Sequence, residues 1–140
     1  MKIFVSPCLL GENCKYNGGN NYSEKVADFI KGHEVVSLCP EVEGGLPVPR
    51  ASAEIVDGIV KTASGKSVDQ EFRAGAKKVM EEVLKQKVEL AVLQSRSPSC
   101  GVNEIYDGSF SGKKMKGQGV FAKMLMEQGV KVIDVEDIGS

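Results

Sequence analysis

The sequence predicts an α/β fold with a single domain over residues 1–140. We expect a four-stranded parallel sheet with helices on both faces, a Rossmann-like arrangement, plus a small β-hairpin insertion. Three observations favour this fold. Short apolar runs of strand length alternate with longer segments of helical period. Glycines, of which the chain has 16, separate the runs. Finally, 140 residues are enough to bury a core without disulfides or metals.

The first third of the chain alternates two predicted strands with one helix. Lys2–Val5 is apolar and predicts the first strand, and a long loop follows over residues 6–21. Tyr22–Lys31 carries apolar residues at helical spacing and precedes a glycine, so it predicts a helix that ends there. Glu34–Leu38 predicts the second strand. Cys39–Arg50 contains three prolines and two adjacent glycines, so we expect it to be irregular and to form the wall of a site.

The middle of the chain predicts a hairpin and then a long helix. Glu54–Val60 has two apolar arms around Asp57-Gly58, a pair typical of a two-residue hairpin turn. Ser67, followed three residues later by Gln70, matches the capping-box pattern that opens a helix. We expect this helix to run to about Lys87, because apolar side chains recur on one face at helical period.

The last third supplies two more predicted strands, Glu89–Leu93 and Val130–Ile133. Between them, Tyr106–Phe110 predicts a turn or a small hairpin, and Gln118–Gln128 predicts a helix with a buried apolar face. The strands alternate with helices along the chain. Because a crossover helix returns the chain to the same end of the sheet, this order implies parallel pairing.

The composition excludes several classes of function. A formal net charge of −1 argues against a general nucleic-acid binder or a membrane-surface protein. The densest basic group, Lys113, Lys114 and Lys116, is interpreted as a solvated loop. No apolar run approaches the ~20 residues of a membrane span, and Met1-Lys2 leads directly into a strand, which argues against a signal peptide. We therefore expect a cytoplasmic protein without membrane or general nucleic-acid partners; its oligomeric state stays open.

Three of the four cysteines occupy the same kind of position. Cys8, Cys39 and Cys100 each lie in a loop just past a short apolar run. If those runs are neighbouring parallel strands, the three thiols meet above the carboxyl edge of the sheet, where open α/β sheets bind ligands. Cys14 lies deeper in the first loop and follows no strand. The alternative is that some of these cysteines are small buried hydrophobes, although a loop at a strand end is a poor place to bury a thiol.

The remaining chemistry favours iron–sulfur ligation over zinc. No two cysteines form a C-x-x-C pair, so a closed structural zinc site is weakly indicated. His33, the only histidine, follows a helix-ending glycine and is expected at the surface, which argues against a Cys–His catalytic pair. Three thiolates can hold a cubane cluster and leave one iron open, and an open iron can act as a Lewis acid.

Three further side chains are candidates for the same site. Glu41 lies two residues beyond Cys39 and is either a general acid/base or a helix or loop cap. Ser97 lies three residues before Cys100, but the two other serines of that loop are equally able to face the site. Arg50 is either an anion or substrate anchor or a structural ion-pair partner.

Several motifs together resemble the DUF (domain of unknown function) 523 family, which includes the thiouracil desulfidases. The motifs are Ser6–Gly18 (SPCLLGENCKYNG), Cys39–Pro47 (CPEVEGGLP), Ser95–Gly101 (SRSPSCG), Tyr106–Phe110 (YDGSF) and Gly117–Val120 (GQGV). The resemblance covers essentially the whole chain. It implies a small α/β domain with a [4Fe–4S] cluster held by Cys8, Cys39 and Cys100. It also implies that Glu41 is the acid/base and Ser97 an assisting residue.

The resemblance predicts an iron–sulfur-dependent desulfidase. The expected substrate is a thiolated nucleobase or a similar small thiocarbonyl compound, and oxygen would replace sulfur without net redox change. We expect the cluster to be lost from protein purified in air, because its open iron has no protecting thiolate. The alternative is a non-catalytic module in which the thiols hold zinc or carry sulfur without turnover.

Overall fold

The structure, a computed structural model, describes residues 1–138, which form eight β-strands, four α-helices and two short 3₁₀ turns. The strands are β1 (Lys2–Val5), β2 (Glu34–Val36), β3 (Ala53–Val56), β4 (Ile59–Thr62), β5 (Leu90–Leu93), β6 (Glu104–Tyr106), β7 (Lys114–Lys116) and β8 (Lys131–Asp134). The helices are α1 (Glu24–Phe29), α2 (Pro40–Glu43), α3 (Asp69–Lys85) and α4 (Val120–Glu127). No helix in this part of the chain is long and apolar enough to cross a membrane.

The main sheet has the order β2-β1-β5-β8, and every neighbouring pair is parallel. The predicted four-stranded parallel sheet is therefore confirmed. From β1 the chain first crosses to β2 on one side and then returns to β5 on the other side. The sheet consequently has its topological switch point between β1 and β5, above which α/β folds bind their ligands.

Helices cover both faces of the sheet, as predicted. Alternate residues of β1 and β5 point to opposite faces, because side chains alternate along a strand. Phe4 and Leu93 pack against the buried faces of α3 and α4. Ile3 and Val92 pack on the other face with Val26 of α1 and the first 3₁₀ turn. The sheet is thus sandwiched between two apolar layers.

Two antiparallel hairpins, β3–β4 and β6–β7, stand outside the main sheet. The predicted turn of the first is confirmed, since Asp57 (φ 49°) and Gly58 (φ 81°) both adopt the left-handed conformation that a two-residue hairpin turn requires. The second hairpin is longer than the predicted turn: Tyr106 ends β6, and the connection continues to β7 at Lys114.

Three local predictions are corrected by tertiary contacts. The capping box is wrong, because α3 begins after Val68, whose N–H donates to the Val60 carbonyl of β4 and ties this segment to the hairpin. The second strand ends at Val36, two residues early. The Cys39–Arg50 segment is not wholly irregular, since it contains α2, which begins with Pro40 at its first position, where a missing N–H costs nothing.

The short helix α2 lies directly against α3 through two glycines. A Cβ atom at Gly75 would lie 1.7 Å from the Pro40 carbonyl oxygen, and one at Gly44 would lie 2.0 Å from the Glu71 carbonyl oxygen. Only glycines allow the two backbones to approach this closely. This contact sets the position of α2 and therefore of the two residues of interest near it, Cys39 and Glu41.

Candidate active site

The three strand-end cysteines line one cavity of about 550 Å³ at the carboxyl edge of the sheet. Cys8 follows β1 in a 3₁₀ turn, Cys39 caps α2 after β2, and Cys100 follows β5. The edge is tied together where β1 and β5 end, since the Ser6 hydroxyl accepts a 3.1 Å hydrogen bond from the Gln94 N–H. The parallel topology therefore brings together three thiols that lie 31 or more residues apart in the sequence.

Cys14 lines the same cavity, although it follows no strand. Its loop folds back over the strand ends, held by the Arg50 side chain, whose Nη2 donates a 2.9 Å hydrogen bond to the Cys14 carbonyl oxygen. The Arg50 backbone N–H also donates to the Tyr16 carbonyl oxygen at 2.6 Å. All four cysteines are free thiols. Sequence reasoning set Cys14 apart because its position depends on the path of the loop, which leaves no periodic signal.

The cavity keeps three of these thiols protonated near neutral pH. A hydrogen bond with Cys39 acts to lower the pKa of Cys14, but a hydrogen bond with Cys8 and burial outweigh it and raise that pKa to about 11. A hydrogen bond with Cys14, and then burial, raise the pKa of Cys39 far above its ordinary value. Burial raises the pKa of Cys100 to about 12 despite a hydrogen bond from Ser6. A bound cation would reverse this balance, because metal coordination deprotonates a thiol.

Glu41 lies in the wall of this cavity and is paired with Arg50. Its Oε1 accepts hydrogen bonds from Arg50 Nη2 at 2.8 Å and from Arg50 Nε at 3.0 Å. The two side chains are only 13% and 7% exposed, so the pair is largely desolvated. Arg50 Nη2 also donates to the Cys14 carbonyl oxygen, and Nη1 donates to the Pro47 carbonyl oxygen. Of the two roles expected for Arg50, the structure therefore bears out the ion-pair partner.

The three serines of the Ser95–Gly101 loop have different partners. Ser95 Oγ donates to Asp134 Oδ1 at 2.6 Å and so anchors the loop to the end of β8. Ser97 Oγ accepts hydrogen bonds from the N–H groups of Ser99 and Cys100, both at 3.0 Å, which tightens the loop around the thiol. Ser99 Oγ donates to Glu41 Oε2 at 2.8 Å and lies 3.7 Å from Cys100 Sγ.

Ser97 therefore reaches the acid only through Ser99, whose Oγ lies 2.9 Å from Ser97 Oγ. Each hydroxyl has one hydrogen to donate. Because Ser99 donates to Glu41, the hydrogen between the two serines belongs to Ser97. Sequence reasoning singled out Ser97 and left Ser99 as an alternative, since three serines in one loop offer no pattern that ranks them.

The start of helix α4 binds the Ser95–Gly101 loop. The N–H groups of Val120 and Phe121 donate to the carbonyl oxygens of Pro98 and Ser99 at 2.8 and 2.9 Å, so the loop caps the start of the helix. Gly119 makes the contact possible, because a Cβ atom there would lie 2.6 Å from the Ser99 carbonyl oxygen. Gly119 is therefore needed for the loop to pack on α4 in the position that brings Ser99 and Cys100 to the cavity.

The outer wall of the cavity comes from the two hairpins and was not predicted as part of the site. Glu54 of β3, Tyr106 of β6 and Phe110 of the β6–β7 connection all line it. The Tyr106–Phe110 motif was recognised as a turn, and the signal that could have assigned it to the site is an aromatic residue at each end of a polar turn. His33 is exposed beyond α1 and does not line the cavity.

Within residues 1–138, no group of three or more histidine, cysteine, aspartate or glutamate side chains is arranged so that it could hold a single metal ion. The four thiols nevertheless line one cavity, and Cys14 is hydrogen-bonded to both Cys8 and Cys39. The arrangement offers soft sulfur ligands on the floor and a carboxylate in the wall. The aromatic face of the outer wall is the third part of the site.

Comparisons with known proteins agree with this architecture. An uncharacterised protein, YbbK, from Bacillus subtilis (strain 168) is 38% identical, and the match covers 97% of each chain. The solved structure of TudS, described as a [4Fe–4S]-dependent thiouracil desulfidase, superposes with a TM-score of 0.92 at 37% identity. It covers 98% of this chain and 92% of the other. The family model for 2-thiouracil desulfurase matches residues 3–137, and this chain therefore belongs to the 2-thiouracil desulfurase family.

Proposed function

We propose that this protein is a [4Fe–4S]-dependent desulfidase that removes sulfur from a thiolated nucleobase or a similar small thiocarbonyl compound. The observation that carries the proposal is the convergence of three strand-end thiols and a desolvated carboxylate, Glu41, on one cavity. Membership of the 2-thiouracil desulfurase family and the similarity to TudS support the same reaction. We place this reaction in the cytoplasm, where free cysteines stay reduced.

The donor set fits such a cluster, with Cys8, Cys39 and Cys100 as its ligands. Iron–sulfur clusters require thiolates, and all of the candidate ligands are free thiols. A zinc ion would draw its thiolates to about 2.3 Å from one centre, whereas a four-iron cluster takes one thiolate per iron and spaces them more widely. The similarity to a [4Fe–4S]-dependent desulfidase supports the cluster over the zinc alternative.

A cluster held by three thiolates would supply a Lewis acid, the fourth iron, for the soft sulfur of a thiocarbonyl group. The protein's own contribution is a positioned carboxylate. Arg50 holds Oε1 of Glu41, while Ser99 holds Oε2. Glu41 can then accept a proton from a water molecule that attacks the thiocarbonyl carbon and return it to the departing sulfur.

The reaction balances without an external oxidant or reductant. Water adds to the carbon, the carbon–sulfur bond breaks, and the products are the oxo compound and hydrosulfide. Ser97 is the proposed assisting residue, and its contacts favour an indirect role: it orients the backbone N–H of Cys100 and the hydroxyl of Ser99. The largely desolvated wall around Glu41 strengthens these interactions, because the effective dielectric is low there.

Anaerobic reconstitution with iron and sulfide tests the proposal. We expect a brown protein with about four irons and four labile sulfides per chain, which releases hydrosulfide from 2-thiouracil. Zinc without labile sulfide would instead support the binding module. A cluster-replete sample that desulfurates no member of a panel of thio-nucleobases would reject the reaction and leave the cluster proposal standing.

The variant Glu41→Gln separates the acid/base role from the structural one. Glutamine keeps the shape of the side chain but cannot take a proton, so turnover should fall by about 10²–10⁴-fold with iron content unchanged. Glu43→Gln is the matched control, because Glu43 belongs to the same short helix but does not line the cavity. Full activity in Glu41→Gln would remove Glu41 from the mechanism.

A further inference from the structure

We propose that Phe110, together with Tyr106, forms the binding face for the planar ring of the substrate, so that the enzyme selects flat heteroaromatic thiocarbonyl compounds over acyclic thioamides. This inference rests on the proposed function and adds to it the residues that bind the ring of the substrate. It concerns the Tyr106–Phe110 segment, to which the proposed mechanism assigns no role. Both aromatic residues line the same cavity as the thiols and Glu41.

Six of the eight aromatic residues of the chain fall into two groups, while Tyr22 and Phe29 are exposed outside the cavity. Phe4, Phe72 and Phe121 are fully buried in the core. Tyr16, Tyr106 and Phe110 line the cavity instead. Tyr16 is 46% exposed, and the other two are half-buried. Partly exposed aromatic rings around a concave site are the usual means of recognising flat ligands, because each ring presents a face on which a base can stack.

The backbone of Phe110 adopts a conformation that a bulky side chain disfavours. Its φ is 56°, in the left-handed region, where phenylalanine is a genuine outlier. Such strain persists only when the surrounding structure enforces it, and it is concentrated at functional sites. The conformation is held by Glu54, whose Oε1 accepts hydrogen bonds from the N–H groups of Gly108 at 3.0 Å and Phe110 at 3.2 Å.

The same contact joins the two hairpins into one rigid wall. Gly108 packs so closely on β3 that a Cβ atom there would lie 2.7 Å from the Ile55 carbonyl oxygen, and its φ of 91° also requires glycine. Glu54 and Gly108 thus lock the β6–β7 connection onto β3. Phe110 is consequently presented to the cavity by a fixed frame, which lowers the entropy lost when a ligand stacks on it.

Anaerobic calorimetry on the cluster-replete protein tests this face directly, with uracil and 5,6-dihydrouracil as probes. The two molecules share the same carbonyl and N–H groups, but only uracil is flat. Phe110→Ala should weaken uracil binding by about 5- to 150-fold, the range of a lost base–aromatic stack, and weaken dihydrouracil binding much less. Phe110→Tyr should retain the uracil affinity, whereas Phe110→Leu, which is apolar but has no ring, should behave as the alanine variant does.

Phe29→Ala is the matched control, because Phe29 is an exposed phenylalanine of α1 outside the cavity. A steady-state measurement completes the test: Phe110→Ala should raise KM for 2-thiouracil by a similar factor with little change in kcat, since a stack contributes equally to substrate and transition state. Circular dichroism and iron content, unchanged in Phe110→Leu, would show that the fold and the metal site persist.

The outcomes separate this inference from the proposed function. Equal uracil affinity in wild type and Phe110→Ala overturns the ring-binding face, and so does a uracil affinity in wild type that is too low to detect. If wild type releases hydrosulfide and KM is also unchanged in Phe110→Ala, the desulfidase stands and the face is rejected. If wild type releases none but binds uracil in a Phe110-dependent way, the face stands and the desulfidase is rejected.

Discussion

The substitution Gly75→Ala is expected to damage the active site from a helix that contributes nothing to the cavity wall. Gly75 lies on α3 and faces α2, and a Cβ atom there would be 1.7 Å from the Pro40 carbonyl oxygen and 2.7 Å from the Gly44 backbone nitrogen. Ordinary van der Waals contact begins at 3.4 Å. The two backbones must therefore separate by about 1.7 Å, and both obstacles are main-chain atoms that cannot rotate away.

The sign of the stability change decides whether this reasoning is right. By helix propensity alone, alanine in place of an interior glycine stabilises α3 by about 1 kcal/mol. Overpacking costs about 1–3 kcal/mol in a well-packed interior, and more where nothing can yield. We expect the second effect to dominate, so that the free energy of unfolding falls by about 2 kcal/mol. Because Cys39 and Glu41 flank Pro40 in the sequence, both should shift beyond the ~0.5 Å that a preorganised site tolerates.

Urea unfolding, and iron content after reconstitution, measure the two consequences. Gly75→Ala should lose both stability and more than half of the bound iron. Gly19→Ala is the matched control, because its added methyl group meets only the flexible side chain of Asn17, at 3.1 Å. A Gly75→Ala protein that is at least as stable as wild type, with full iron, would refute the close contact between α2 and α3.

Three more predictions test the site and its frame. Cys14→Ser should keep iron content near wild type, whereas Cys100→Ser should lose the cluster absorbance because serine is a poor ligand; equal loss in both would reject an open iron and with it the desulfidase. Arg50→Gln should lower the free energy of unfolding by about 3 kcal/mol in urea titrations, since it leaves Glu41 buried without its charge partner; a loss below about 0.5 kcal/mol would contradict this. For Asp69, burial acts to raise the pKa, but hydrogen bonds from Arg73 and the Val60 N–H and the Arg73 charge outweigh it and lower the pKa. Its stabilisation is therefore complete above the ordinary value of 3.8 and is lost as the pH falls through the lower folded value. Asp69→Ala should lower the free energy of unfolding by about 1 kcal/mol at pH 7. This difference from wild type should shrink below pH ~3.8, and a difference that does not change with pH would contradict the role of the ionised contacts.

The strands and the thiols at their ends were predictable from local patterns. Lys2–Val5 was predicted with its observed bounds, and the other three sheet strands were located to within two residues at each end. Apolar runs and glycine stops act over a few residues, which is the range that a sequence pattern records. Parallel topology then follows from the alternation of strands and helices. Placing Cys8, Cys39 and Cys100 at one edge therefore needed no tertiary information.

The partners of the candidate catalytic groups were beyond local patterns. Ser99 and Glu41 are 58 residues apart, and their hydrogen bond exists only because β5 and β2 end at the same edge of the sheet. Ser95, Ser97 and Ser99 are chemically alike in the sequence, and only their surroundings give them different roles. The first bonds Asp134, the second accepts from the backbone of its own loop, and the third donates to Glu41. Arg50 is the ion-pair partner of Glu41 and not a substrate anchor, which became clear only from the burial of the pair in the folded structure.

The sequence by itself determined the α/β class, the four strands of the parallel sheet and the identity of the thiols at the sheet edge, because these depend on short-range periodicity and on the chemistry of single residues. Only the tertiary structure decided that Cys14 joins the other thiols, that α2 packs on Gly75, and that Phe110 lines the same cavity as Glu41. These depend on contacts between segments distant in sequence. Such contacts are set by the shapes of packed surfaces, and those shapes exist only once the chain has folded.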